Sequence, residues 1–207
     1  LEAGANAALD EGSVFARNIG FGDGQDDGAP GWSFSIDYGD GSAAVTGSTL
    51  LKNLALSHLY LDGAAAHTVT VSVTDEPGES ASDSFSVTVN NVAPSAAVTG
   101  ADSVNEAQVY TLAVGLVVDP GDDTRTGYSI DWGDGTVQNL TSAEWTAAAG
   151  SFTHVFTDDE NGPVNATPRT VTVSATDEDG TFTLGSKSLT VNNVAPTITQ
   201  AGANTAA

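Results

Sequence analysis

The chain has 207 residues, of which 27 are acidic and 5 basic, giving a formal charge of −22. Such an imbalance repels phosphate backbones and anionic lipid surfaces, so neither nucleic acid nor direct membrane insertion is expected. There is no cysteine, which rules out disulfides and thiolate metal sites.

In chain order the first distinctive pieces are DEGSVF (10–15), the loop GFGDGQDDGAPG (20–31) and SIDYGDGS (35–42). SHLYLD (57–62), TVTVSVTDEPG (68–78) and VTVNNVAPS (87–95) follow. The same series then returns as NEAQVY (105–110), DPGDD (119–123), SIDWGDGT (129–136), THVFTD (153–158), TVTVSATDEDG (170–180) and LTVNNVAPT (189–197). A period of this length means an array of whole domains rather than a solenoid of small units. Two domains are predicted, 1–94 and 95–197, and 198–207 starts a further repeat or a linker, because AGANAA (3–8) reappears as AGANTAA (201–207). Split at Pro94, the parts hold 13 acids with 2 bases and 14 acids with 3, so each carries −11 and the charge belongs to the repeat. It costs self-repulsion unless cations are bound or salt is abundant.

Within each repeat the apolar period is two. Val69, Val71 and Val73 alternate with Thr70, Ser72 and Thr74, and Val171, Val173 and Ala175 do the same with Thr172, Ser174 and Thr176, as half-buried strands do. Further strands are predicted over 109–118, 128–132, 152–156 and 181–191, and a short helical turn in the least similar stretches, 43–56 or 137–150. About seven short strands per hundred residues fit an antiparallel sandwich of immunoglobulin type. In the opening phrase, alternation puts Ile130 and Trp132 on one face and Asp131 on the other, with Gly133, Asp134 and Gly135 forming a tight turn. Trp132 and Tyr38 read as core aromatics, and Asp134 and Asp40 as acceptors for their own turn backbone.

The aromatic-Gly-Asp-Gly phrase, the His-x-aromatic strand and TVTVSATDEDG resemble the polycystic-kidney-disease (PKD) domain. The set NEAQVYTL, DPGDD, IDWGDGT, TDEDGT and VNNVAP is similar to the tandem PKD-like units of large bacterial surface and secreted proteins, and it covers nearly all of both halves. The first unit departs by having Tyr38 for the tryptophan and DEPGES for DEDGT. The resemblance implies an all-β protein of two tandem immunoglobulin-like (PKD-type) antiparallel β-sandwiches, extracellular or at the cell surface.

In an immunoglobulin-type topology the loop 119–123 and the turn 177–180 share the end at which the chain enters from NNVAP. Glu11, at the opposite pole of the preceding unit, faces the same junction. Hard oxygen donors from both repeats are thus expected to converge on calcium, which takes six to eight oxygens at about 2.3–2.6 Å. The candidate ligands are Asp119, Asp122, Asp123, Asp177 and Asp179 with Asn90 and Asn91, then Asp23, Asp26, Asp27 and Asp75, then Glu11 and Glu106. The plainer reading of the same loops is as solvated turns, and no EF-hand pattern is present.

His58 and His154 occupy equivalent strand positions and read as fold residues, while His67 has no counterpart. No metal-binding histidine pair is apparent, so no catalytic residues are assigned and no enzyme activity is expected. Trp32 and Trp145 lie in the variable parts of the units, either as ligand-stacking platforms or as core-edge residues. The expected function is a monomeric, calcium-rigidified spacer or adhesion module whose partners are adjacent repeats of the same chain. The alternative is an accessory module of a secreted hydrolase that binds polysaccharide, fibres or another cell-surface ligand.

Overall fold

The computed structural model describes residues 1–22, 31–75, 78–158 and 166–197. Asp23, Asp26 and Asp27 therefore lie outside the described residues, as does the 198–207 segment. The chain divides into two compact units. The first is Leu1–Ala93 together with Asp119–Thr124; the second is Pro94–Val118 together with the chain from Arg125 onward.

The first unit is built from β1 (Ala7–Asp10), β2 (Val14–Gly20), β3 (Trp32–Asp37), β4 (Val45–Thr49), β5 (Asn53–Leu59), β6 (Ala65–Thr74) and β7 (Ser80–Asn90). One sheet has the order β1-β7-β6-β3-β4, and β2 pairs with β5 in the other. Period-two burial is explicit on β6, where Val69, Val71 and Val73 point inward. They join Phe85, Val87 and Val89 of β7, Phe15 and Ile19 of β2, and Leu54 and Leu56 of β5 in one core, so two sheets share a single apolar interior. Each such side chain contributes about 1.5–3 kcal/mol by leaving water.

The second unit contains β8 (Val98–Gly100), β9 (Ser103–Asn105), β10 (Val109–Val114), β11 (Gly127–Asp131), β12 (Val137–Thr141), α1 (Ser142–Ala148), β13 (Ser151–Val155), β14 (Ala166–Thr176) and β15 (Thr181–Asn192). Its sheets have the orders β12-β11-β14-β15-β9 and β13-β10-β8. Val171, Val173 and Ala175 of β14 meet Leu112, Ile130, Trp132, Phe152, Leu189 and Val191 in the core.

Two details differ from the sequence expectations, and a third, the short helical turn, is narrowed to one of its two candidate stretches. The sheets are not antiparallel throughout: β1 runs parallel to β7 and β9 parallel to β15. β10 ends at Val114 rather than 118, because the amides beyond it turn to other partners, Gly115 to Ala97 and Val118 to Ser95. The helix forms only in the second variable stretch, where Thr141 and Glu144 make a reciprocal capping box and Ala149 closes the end in a left-handed conformation. The matching stretch of the first unit forms β4 and β5 instead.

Candidate cation site

The repeated acidic phrase builds a corner. Asp134 accepts the Thr136 amide (2.9 Å) and Asp131 the Gly133 amide (2.9 Å), while Gly133 and Gly135 take φ of 75° and 89°. The same turn around Asp40 accepts the amide and hydroxyl of Ser42 at 3.1 and 2.6 Å. Each turn aspartate also meets a histidine from the other sheet at 2.6 Å, His58 for Asp40 and His154 for Asp134. Each imidazole lies flat on the turn's aromatic, at 4.1 Å from Tyr38 and 4.7 Å from Trp132. His67 does have a counterpart that the sequence concealed. His67 Nδ1 reaches the Gly39 carbonyl at 3.2 Å, as the Arg169 guanidinium reaches that of Gly133 at 3.0 Å. Tyr38, Trp132, Asp40, Asp134, His58 and His154 thus serve the fold.

A different set of acids forms the candidate site, and it lies within the first unit. Glu11 sits in the turn between β1 and β2 and is only 1% exposed. Its amide donates to Asn90 O (3.0 Å), the next amide, of Gly12, donates to Tyr60 O (2.8 Å), and its Oε1 accepts the Val92 amide at 2.7 Å. The carboxylate is thereby fixed by backbone on both sides. Gly63 and Gly121 flank it so closely that a side chain on either would collide with the carboxylate.

The segment Asp119–Thr124 docks on this turn. Asp122 N donates to Leu61 O at 2.8 Å, and Gly12, at φ 68°, leaves room for the Pro120 backbone. Docking brings a carboxylate oxygen each from Glu11, Asp62 and Asp123 to within 4.8 Å of one another. Asp62 is exposed, whereas Asp123 is only 9% exposed. At an effective dielectric constant of about 20, two like charges at that separation repel by roughly 3 kcal/mol. A divalent cation turns the repulsion into attraction. The donors are carboxylate oxygens without sulfur or imidazole, a set that suits calcium or magnesium rather than zinc.

Of the residues singled out from sequence, Glu11 and Asp123 are therefore brought together. Asp119 is half-buried in the same segment and Asp122 is exposed. Asn90 uses its side-chain amide on Asp10 (3.1 Å), and Asn91 is half-buried with its backbone against Gly63. Asp75 caps its own turn by accepting the Gly78 and Glu79 amides. In the second unit Glu106 repeats the Glu11 pattern, accepting the Val194 amide at 2.8 Å, and Asp177 and Asp179 occupy the β14–β15 turn. Asp62 was missed, although its recurrence as Asp158 at the end of the SHLYLD and THVFTD phrases was the available signal.

Trp32 is 7% exposed, set edge-on against Phe21 with the Lys52 ammonium 5.4 Å from its ring centre, and has little surface left for a ligand. Trp145, on α1, stacks on Tyr128 at 4.1 Å and tilts against Phe152 at 4.9 Å, so its ring is engaged with the core edge. Comparison with protein-family models and with curated proteins gives no match.

Proposed function

We propose that the protein is a non-catalytic, calcium-rigidified spacer made of tandem immunoglobulin-like domains of PKD type, part of an extracellular or cell-surface array. The observation that carries this reading is the buried Glu11 carboxylate held by backbone among Asp62 and Asp123. A buried carboxylate flanked by two glycines and grouped with two further acids suits a small cation. The segment 119–124 that supplies Asp123 is joined in the chain to Val118 and Arg125, both of the second unit. An ion that holds the segment to Glu11 and Asp62 therefore restrains the chain leading into that unit. Its binding energy adds to the cost of releasing the segment. The chain's 27 acids also favour uptake of divalent cations in calcium-rich surroundings.

Small-angle scattering of the whole chain in millimolar calcium and in EDTA tests the spacer function. The proposal requires chelation to broaden the distribution of interatomic distances and re-added calcium to restore it. Identical curves in both conditions contradict it.

A further inference from the structure

His67 on β6 and Arg169 on β14 hold the same place in the two units, each just ahead of the inward valines Val69 and Val171. Both bond the carbonyl of the turn glycine, His67 Nδ1 that of Gly39 at 3.2 Å and Arg169 Nη1 that of Gly133 at 3.0 Å. The turns around them match, each with its aspartate 2.6 Å from a histidine. The second unit therefore shows that this corner accommodates a guanidinium. In the first unit the side chain is a shorter imidazole, and an open groove of about 410 Å³ lies beside it.

Asp40, His58, Leu59, Leu61, Asp62 and His67 line that groove. Leu59 and Leu61 are 42% and 49% exposed, and the position of Leu61 carries Thr157 in the second unit. Two carboxylates set beside two exposed leucines call for a guest that is positive at one end and apolar along its stem. Arginine is such a guest, with five N–H donors and no acceptor on a methylene chain that covers apolar surface. The formal charge of −22 adds a long-range attraction for basic partners and a repulsion of acidic ones.

We propose that this groove is a docking site for an arginine of a partner protein, flanked in its own sequence by apolar residues that rest on Leu59 and Leu61. The partner's guanidinium takes the role that Arg169 plays within the second unit. The groove shares Asp62 with the cation site but needs no ion, so the proposal stands apart from the calcium reading.

Amide chemical-shift mapping of the full chain by NMR tests it, with acetyl-Leu-Arg-Leu-amide as the probe and the same peptide carrying citrulline for arginine as the uncharged control. Physiological salt screens diffuse attraction to the acidic surface. The arginine peptide should shift amides around Asp40 and along Leu59–His67, and the citrulline peptide should not. His67→Arg and Leu61→Thr install residues that the second unit already carries, and circular dichroism verifies their fold. His67→Arg should abolish binding by filling the groove from within, and Leu61→Thr should weaken it. Ser48→Arg, the same added charge on the exposed face of β4, should bind as the wild type. Equal binding of the citrulline peptide, shifts spread over the whole acidic surface, or a His67→Arg variant that binds no worse than Ser48→Arg would overturn the proposal.

Discussion

His154 Nε2 lies 2.6 Å from Asp134 Oδ2, and the pair joins the turn after β11 to β13 in the opposite sheet. His58 and Asp40 repeat the distance in the first unit. Each histidine is stacked on the turn's aromatic and meets a second ring edge-on, Phe156 or Tyr60. This clasp explains why the acidic glycine phrase recurs with a histidine some twenty residues later. Replacing His154 by Gln should lower the second unit's stability by about 1 kcal/mol, the scale of a partly exposed hydrogen bond to a charged group. Differential scanning calorimetry should show the loss in one transition, roughly 4–8 °C for a domain of this size.

Acid should open the same clasp. Burial pushes the Asp40 carboxyl up, but hydrogen bonds from the Ser42 hydroxyl, His58 and the Ser42 amide, with the charge of His58, outweigh it and hold it down at about 2. The folded-state value is depressed, so its contribution is fully present above the unfolded carboxylate value near 3.8 and is lost as pH falls from there towards 2. Asp134 is shifted the same way, with burial again outweighed by His154 and Thr136. Acid unfolding followed by circular dichroism should therefore begin at higher pH in His58→Gln and His154→Gln than in the wild type.

Gly12 and Ala107 hold the same left-handed position after the two turn glutamates, Glu11 and Glu106, at φ 68° and 60°. Alanine tolerates the dihedral in the second unit, so Gly12→Ala isolates the contact with the Pro120 backbone. It should displace the 119–124 segment, seen as faster hydrogen exchange at the Asp122 amide. Ala107→Gly should instead leave the second unit unharmed or stabilise it by up to about 1 kcal/mol, since glycine relieves left-handed strain at some entropic cost.

Thr141→Ala removes the side-chain oxygen that accepts the Glu144 amide at the start of α1. The expected cost is about 1 kcal/mol, and Thr141→Ser should recover most of it. Thermal melts of the two variants check the cap.

Much of the fold was legible because it is written twice and in a period of two. The valines of β6 and β14, the core aromatics Tyr38 and Trp132, and the glycine turns all follow from local pattern. What could not be read is what depends on distant contacts. Asp119–Thr124 sits by sequence in the second repeat and was expected to meet Glu11, yet its docking on Leu61 as part of the first compact unit is marked by no local signal. His67 and Arg169 do one job with unlike side chains, so alignment of residue types hid the equivalence. Of the candidate site, Glu11 and Asp123 were readable as hard oxygen donors. Asp62 was hidden among other acids because only the folded turn sets it beside them.

Calcium-dependent melting of the first unit, compared between the wild type, Asp123→Asn and Glu11→Gln, tests the ion site most directly. At free calcium of about 100 times the dissociation constant, linkage adds about 2.7 kcal/mol for a single site. The wild-type transition should therefore rise by several degrees and fall back in EDTA, and both variants should lose most of that rise. A wild-type transition that ignores millimolar calcium, or variants that gain as much from it as the wild type, would contradict the assignment of Glu11, Asp62 and Asp123 as its ligands.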